Sequence, residues 1–142
     1  MLRYLLNKER FSWALYDWAN SAFWTTVVAG FFPIFFKSYW AAELDGPSSS
    51  AVLGTTNSIA GFCIVLMAPI LGTIADKAGA KKNFLVFFAF LGIIATGSFF
   101  FIPSGFWITA SILFGISLLG ASGSNIFYDS LIVDVSDEKK RN

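Results

Sequence analysis

Histidine is absent from the 142 residues, and Cys63 is the single cysteine. The first absence removes the commonest metal ligand and the one side chain that ordinarily titrates near neutral pH, and the second leaves neither a disulfide framework nor a thiolate cluster. No Ser/His pair and no phosphate-cradling glycine loop occurs either, so the sequence reads as a non-enzyme with no metal, no cofactor and no nucleic-acid partner. Charge is scarce as well: Asp, Glu, Lys and Arg make up 13% of the chain against 56% hydrophobic residues, with a mean hydropathy of +0.65. A soluble domain of this length must show more polar surface to water, which points to lipid as the solvent. The amino-terminal Met1 to Arg10 has no small-residue cleavage site after a compact apolar core, so no cleaved signal peptide is expected.

What the chain does have is long uncharged runs. Residues 18–36, 51–75, 84–102 and 106–128 each reach the roughly 20 residues that a helix needs to cross about 30 Å of hydrocarbon. Backbone amides in lipid have no water to bond, and the alternating pattern of a membrane barrel is missing, so the expected fold is all-α, a polytopic bundle of four transmembrane helices. Arg3, Lys8, Arg10, Lys77, Lys81, Lys82, Lys139, Lys140 and Arg141 fall on one side of these runs and Lys37 alone on the other. That imbalance predicts a cytoplasmic amino-terminal segment 1–17, a transmembrane region 18–128 and a cytoplasmic tail 129–142. Trp18, Trp40, Trp107 and Tyr128 lie near span ends, where interfacial aromatics are expected. Gly30, Pro33 and Pro69 should loosen their helices, and the small-residue pairs Ala68/Gly72, Ser111/Gly115 and Ser117/Ala121 should allow close packing.

Between the second and third runs stands Gly72-Thr73-Ile74-Ala75-Asp76-Lys77-Ala78-Gly79-Ala80-Lys81-Lys82. This resembles the signature loop of the major facilitator superfamily: a glycine, an aspartate four later, a basic residue, a glycine three after the aspartate, and a basic pair. Gly72 would let a neighbouring helix approach, Asp76 would accept hydrogen bonds from the positive amino end of an adjacent helix, and Gly79 would permit a tight turn. Lys77, Lys81 and Lys82 would meet anionic headgroups or carboxylates. Ala80 departs from the pattern, standing where the superfamily usually has the first basic residue after the glycine. A second stretch, Ser12-Trp13-Ala14-Leu15-Tyr16-Asp17-Trp18-Ala19-Asn20-Ser21-Ala22-Phe23 followed by Phe31-Phe32-Pro33-Ile34-Phe35-Phe36, is similar to the amino-terminal signature of the autophagy-related protein 22-like branch. The branch includes vacuolar amino-acid exporters, so the resemblance implies a secondary transporter of small solutes, with amino acids the leading substrate class. The membrane would be a bacterial inner membrane, or a vacuolar one in a eukaryote.

On an ideal helix Asp17, Asn20, Ser21 and Trp24 follow i, i+3, i+4, i+7 and share a face too polar for lipid. Asn125 and Asp129 are four apart on the last run, at the same depth by the predicted topology. The first and fourth helices of each superfamily half line the central cavity, so the resemblance would place these six residues along a substrate or proton path. The bland alternative makes Asp17 a helix cap and Asp129 a topology marker at the water boundary. The superfamily builds two six-helix halves from three-helix repeats, so four spans are expected to be the opening part of a twelve-helix fold whose partners are the bilayer, a solute and missing carboxy-terminal helices. A self-contained four-helix protein, acting as a dimeric exporter or as a non-transporting assembly subunit, is the competing expectation.

Overall fold

The computed structural model describes the backbone of residues 8–138 and the side chains of 11–76 and 79–131. The side chains of Arg3, Lys8, Arg10 and Lys77 and the tail residues 139–142 lie outside them. Among the described residues the chain is helical, with four helices long and apolar enough to cross a membrane: Phe11–Trp40, Gly46–Asp76, Lys81–Phe101 and Trp107–Leu131, here the first to fourth spans. The helices run past the apolar stretches: the second extends over Gly46–Ala78 and the fourth over Trp107–Glu138. At 1.5 Å per residue either is about 50 Å long, so each projects beyond a hydrocarbon layer about 30 Å thick or tilts within it.

The first span changes pitch along its length. It starts as an α-helix, Lys8–Ala22, widens into π-helical turns over Phe23–Phe31, returns to α over Phe32–Phe35, and widens again over Phe36–Trp40. Pro33 explains the arrangement in part. Its ring lacks an N–H and presses on the carbonyl four residues earlier, and the wider turn before it relieves that crowding. The Phe32 amide reaches back five residues to the Val27 carbonyl, and the Ala41 amide to that of Phe36 at 2.7 Å. Thr25 Oγ1 donates to the Ser21 carbonyl at 2.9 Å where the wide turns begin.

The four helices run up and down, giving a basic end, with Asp17, Asp76, Lys81 and Asp129, and an opposite loop end, with the 41–45 and 102–106 connections. The fourth span is the hub: 56% of its most apolar window is buried, against 11% to 22% for the other three. At the loop end Phe32, Phe36, Trp40, Phe99 and Phe114 form an aromatic core. Phe32 and Phe114 lie face to face, centroids 3.8 Å apart and planes at 5°. Trp40, expected at the interface, is instead 1% exposed. Its Nε1–H donates to the Ile102 carbonyl at 3.1 Å, so the indole needs no headgroup partner. The Tyr39 carbonyl accepts from Ser104 Oγ at 2.9 Å and from the Gly105 amide at 3.3 Å, clasping the first span to the last connection. At the basic end a smaller core joins Ala75, Phe88 and Phe127.

Small residues act where the third and fourth spans touch. A Cβ on Gly120 would stand 2.4 Å from the Gly92 amide nitrogen and 2.8 Å from the Phe88 carbonyl, so the two backbones meet directly. Ser117 and Ala121, paired in the sequence reading, are buried beside this contact, and Gly115 faces Thr56 of the second span. Gly72 differs from expectation: a Cβ there would meet nothing within 4 Å, because no described helix lies against that face.

The second span opens on a cap. The Asp45 side chain accepts from the Ser48 amide at 3.4 Å, and Pro47 stands in the first turn, where a missing N–H costs nothing. Hydrogen bonding from Ser48, first from its side chain and then from its amide, holds the Asp45 carboxyl below the usual carboxylate range. A carboxyl lowered in the folded state contributes stability at pH values above its unfolded pKa and loses it as pH falls through its folded one. Amide exchange at Ser48 and Ser49, corrected for its intrinsic pH dependence, is therefore expected to lose protection below the carboxylate range in the native chain but not in Asp45→Asn, which keeps a neutral cap.

Candidate functional site

At the basic end the first and fourth spans meet through three aromatic rings. Tyr128 stacks on Tyr16, centroids 4.7 Å apart at 24°, and lies 4.6 Å from Trp13 at 55°. Its hydroxyl donates to the Trp13 carbonyl at 3.3 Å. Asp17 and Asp129, the two carboxylates singled out from sequence, both sit within electrostatic reach of Tyr128. Both are exposed. Four residues before Asp129, Asn125 is half-buried, and its Oδ1 is fully buried with no hydrogen-bond partner among the described residues. An unpaired buried carbonyl costs about 1–3 kcal/mol, so it is an acceptor waiting for a donor.

The remaining candidates divide. Asn20 is half-buried and lines a cavity of about 370 Å³ between the first, third and fourth spans, together with Tyr16, Phe23, Gly92, Thr96 and Ser124. Ser21 is exposed, and its carbonyl is taken by Thr25. Trp24 packs against the aromatic core and edge-on to Phe23, with centroids 5.6 Å apart.

The signature loop forms a compact turn. Gly79 ends the second helix at φ +60°, its amide bonding to the Asp76 carbonyl at 3.3 Å while the Ala80 amide bonds to that of Ala75 at 3.0 Å. These are the two bonds of a left-handed helix stop that glycine allows most readily. Asp76 is 62% exposed, and Lys81 Nζ lies 2.8 Å from its Oδ1. Asp76 faces the negative end of its own helix and Lys81 the positive end of the next, so pairing them offsets two unfavourable placements. The partner thus comes from the amino end of an adjacent helix, as a side-chain ammonium rather than backbone amides. Lys82 is exposed.

Sequence reasoning did not find the wall that the third span gives the cavity. Gly92 and Thr96, four apart, were the available signal, with Thr96 Oγ1 bonding back to the Gly92 carbonyl at 2.8 Å. Nor was Tyr128 distinguished from an ordinary interfacial aromatic.

No solved structure matches the chain. It is 44% identical over 136 residues to the uncharacterized MFS-type transporter YxiO of Bacillus subtilis (strain 168), an alignment that takes in 95% of this chain and 32% of that protein. The chain therefore spans about a third of the length of this curated relative. The family model described as vacuole effluxer Atg22 like matches residues 46–141, more than half of the chain and all of its second, third and fourth spans. With four membrane-length helices, the glycine-stopped loop and these matches together, the chain belongs to the vacuole effluxer Atg22-like family.

Proposed function

We propose that this chain forms the opening membrane part of a secondary transporter that moves small solutes, with amino acids the first class to test. Both ends of the 8–138 bundle would face the cytoplasm, as the nine-to-one distribution of Lys and Arg favours. Asp17, Asn20, Ser21, Asn125 and Asp129 would serve a solute or proton path, while Trp24 would hold the first span against the core. The observation that carries this reading is the buried Oδ1 of Asn125, without a partner among the described residues, three residues before a tyrosine within electrostatic reach of two carboxylates. Membrane segments seldom keep such groups without a ligand, an ion or another helix to satisfy them. The further helices of the inferred fold would come from the part of the protein that the relative's remaining length represents.

The test is uptake or efflux by the full-length protein in proteoliposomes, with labelled amino acids and an imposed pH gradient. Asp17→Asn and Asp129→Asn are each expected to lower transport about tenfold or more, the scale of losing one charged hydrogen-bonding partner. Both variants should assemble normally, since both carboxylates are exposed. Unimpaired transport in the two would return them to the status of boundary residues.

A further inference from the structure

Two cavities lie end to end between the first and third spans. The one of about 370 Å³ has Tyr16 and Phe23 on its first-span wall and Ala89, Gly92 and Thr96 on its third-span wall. The other, of about 480 Å³, shares Thr96 and continues along the first span from Val27 to Tyr39. Phe23 and Val27 are one turn apart, so the two form a single groove. Along the first span it runs from Tyr16 to Tyr39, roughly 30–35 Å at helical rise, which is the length of one membrane-spanning helix. Ala121 and Ser124 of the fourth span close it from behind at the basic end. Small residues, Ala19, Ala89 and Gly97 among them, line it, as close approach of a further helix backbone requires. A lipid tail fits less well, since the chain of one leaflet covers only about half of that length.

We propose that the sixth span of the full-length protein, the second membrane helix after residue 142, lies in this groove against the first span. The proposal rests on the reading of the chain as the opening part of a major facilitator half, whose spans one to three and four to six are inverted repeats related by a two-fold axis in the membrane plane. That axis exchanges the first span with the fourth and the third with the sixth. Since the first and fourth spans are neighbours, it passes between them at right angles to the line that joins them. Whatever lies on one face of this pair is therefore returned to the same face. The third span packs backbone to backbone on the fourth, at Gly92 and Gly120, and forms one wall of the groove. Its image, the sixth span, falls on that face beside the first span, where the groove is. The path of the chain agrees. The fourth helix runs to Glu138 at the basic end, so a fifth span crosses to the loop end and a sixth returns antiparallel to both walls. The relative supplies the length, because the alignment that takes in 95% of this chain leaves about two thirds of that protein outside it.

Photocrosslinking in the full-length protein, in its native membranes, tests the seat. The photoreactive residue p-benzoylphenylalanine is placed at Phe23 on one wall, at Ile93 on the other, and at Phe87, which lines neither cavity. From both walls the main product is expected to be an intramolecular link to a peptide of the sixth span, identified by mass spectrometry and several-fold weaker from Phe87. The replacement at Phe23 keeps an aromatic ring, so it serves where the one at Ile93 does not assemble. Adducts on lipid alone overturn the proposal, as does a crosslinked dimer on a denaturing gel, which would seat a second copy in the groove. Links from the walls to another span alone, or links from Phe87 as strong as theirs, also overturn it. Solute transport by a protein that gives any of these results removes the seat and leaves the transporter reading intact, whereas a chain beyond residue 142 without further membrane spans removes both.

Discussion

Gly120→Ala is expected to be the most damaging single-methyl change in the described chain, destabilising it by about 3 kcal/mol, the upper part of the usual range for overpacking. The added Cβ would lie 2.4 Å from the Gly92 nitrogen, 2.6 Å from Gly92 Cα and 2.8 Å from the Phe88 carbonyl oxygen. All three are backbone atoms, so no rotamer change relieves the clash and the third and fourth spans must part along their shared face. In lipid no hydrophobic driving force returns them, since van der Waals contact between helices is the attraction that is lost. Gly72→Ala is the control: its Cβ has open space, and alanine's better helix propensity makes it neutral or favourable by up to about 1 kcal/mol. Reversible denaturation of both variants in mixed micelles gives the comparison, and equal midpoints would show that the close approach of the two helices is not as described.

The second large effect is at the loop end. Phe114→Ala removes a ring that is 1% exposed and lies parallel to Phe32 at 3.8 Å. In a soluble protein such a truncation costs about 3–5 kcal/mol, including loss of burial from water. Here the separated helices would still bathe the ring in hydrocarbon, so that transfer contribution falls away and the loss of packing remains. We expect about 2 kcal/mol, and a combined Phe32→Ala, Phe114→Ala chain less destabilised than the two single losses added, because they remove one shared contact. Phe100→Ala, at a side chain 88% exposed, should change stability by a few tenths of a kcal/mol at most. A Phe114→Ala loss no larger than that of Phe100→Ala would mean the stacked pair contributes nothing to assembly.

The helices were legible because lipid imposes a simple demand: an uncharged run long enough to cross must satisfy its own backbone. The Gly79 stop was legible for a similarly local reason, a left-handed residue between a helix end and a basic pair. What stayed hidden was how the helices face one another. The fourth span is more buried than the second and third yet less apolar than either, because apolarity in a membrane chain reports contact with lipid rather than with protein. Trp24 read as part of a polar face, whereas it packs against the aromatic core, and only Gly30 and the nearness of Pro33 announce the wide turns of Phe23–Phe31. Trp40 and Tyr128 read as interfacial by position, whereas one is core and the other joins two helices. Asp17 and Asp129 both lie within electrostatic reach of Tyr128, and that tyrosine had to be seen.

The connection at 102–106 is short, and the third and fourth spans that it joins share the closest backbone contact described, so they can pair as soon as both have left the ribosome. The first span is in the opposite position. The tyrosine that donates to its Trp13 carbonyl lies 115 residues later, and the carbonyl that accepts from Trp40 lies 62 later. Contacts so distant along the chain form late, so the opening helix must wait at the insertion machinery or in the bilayer with its aromatic side uncovered while the hairpin that will hold it is still being synthesised.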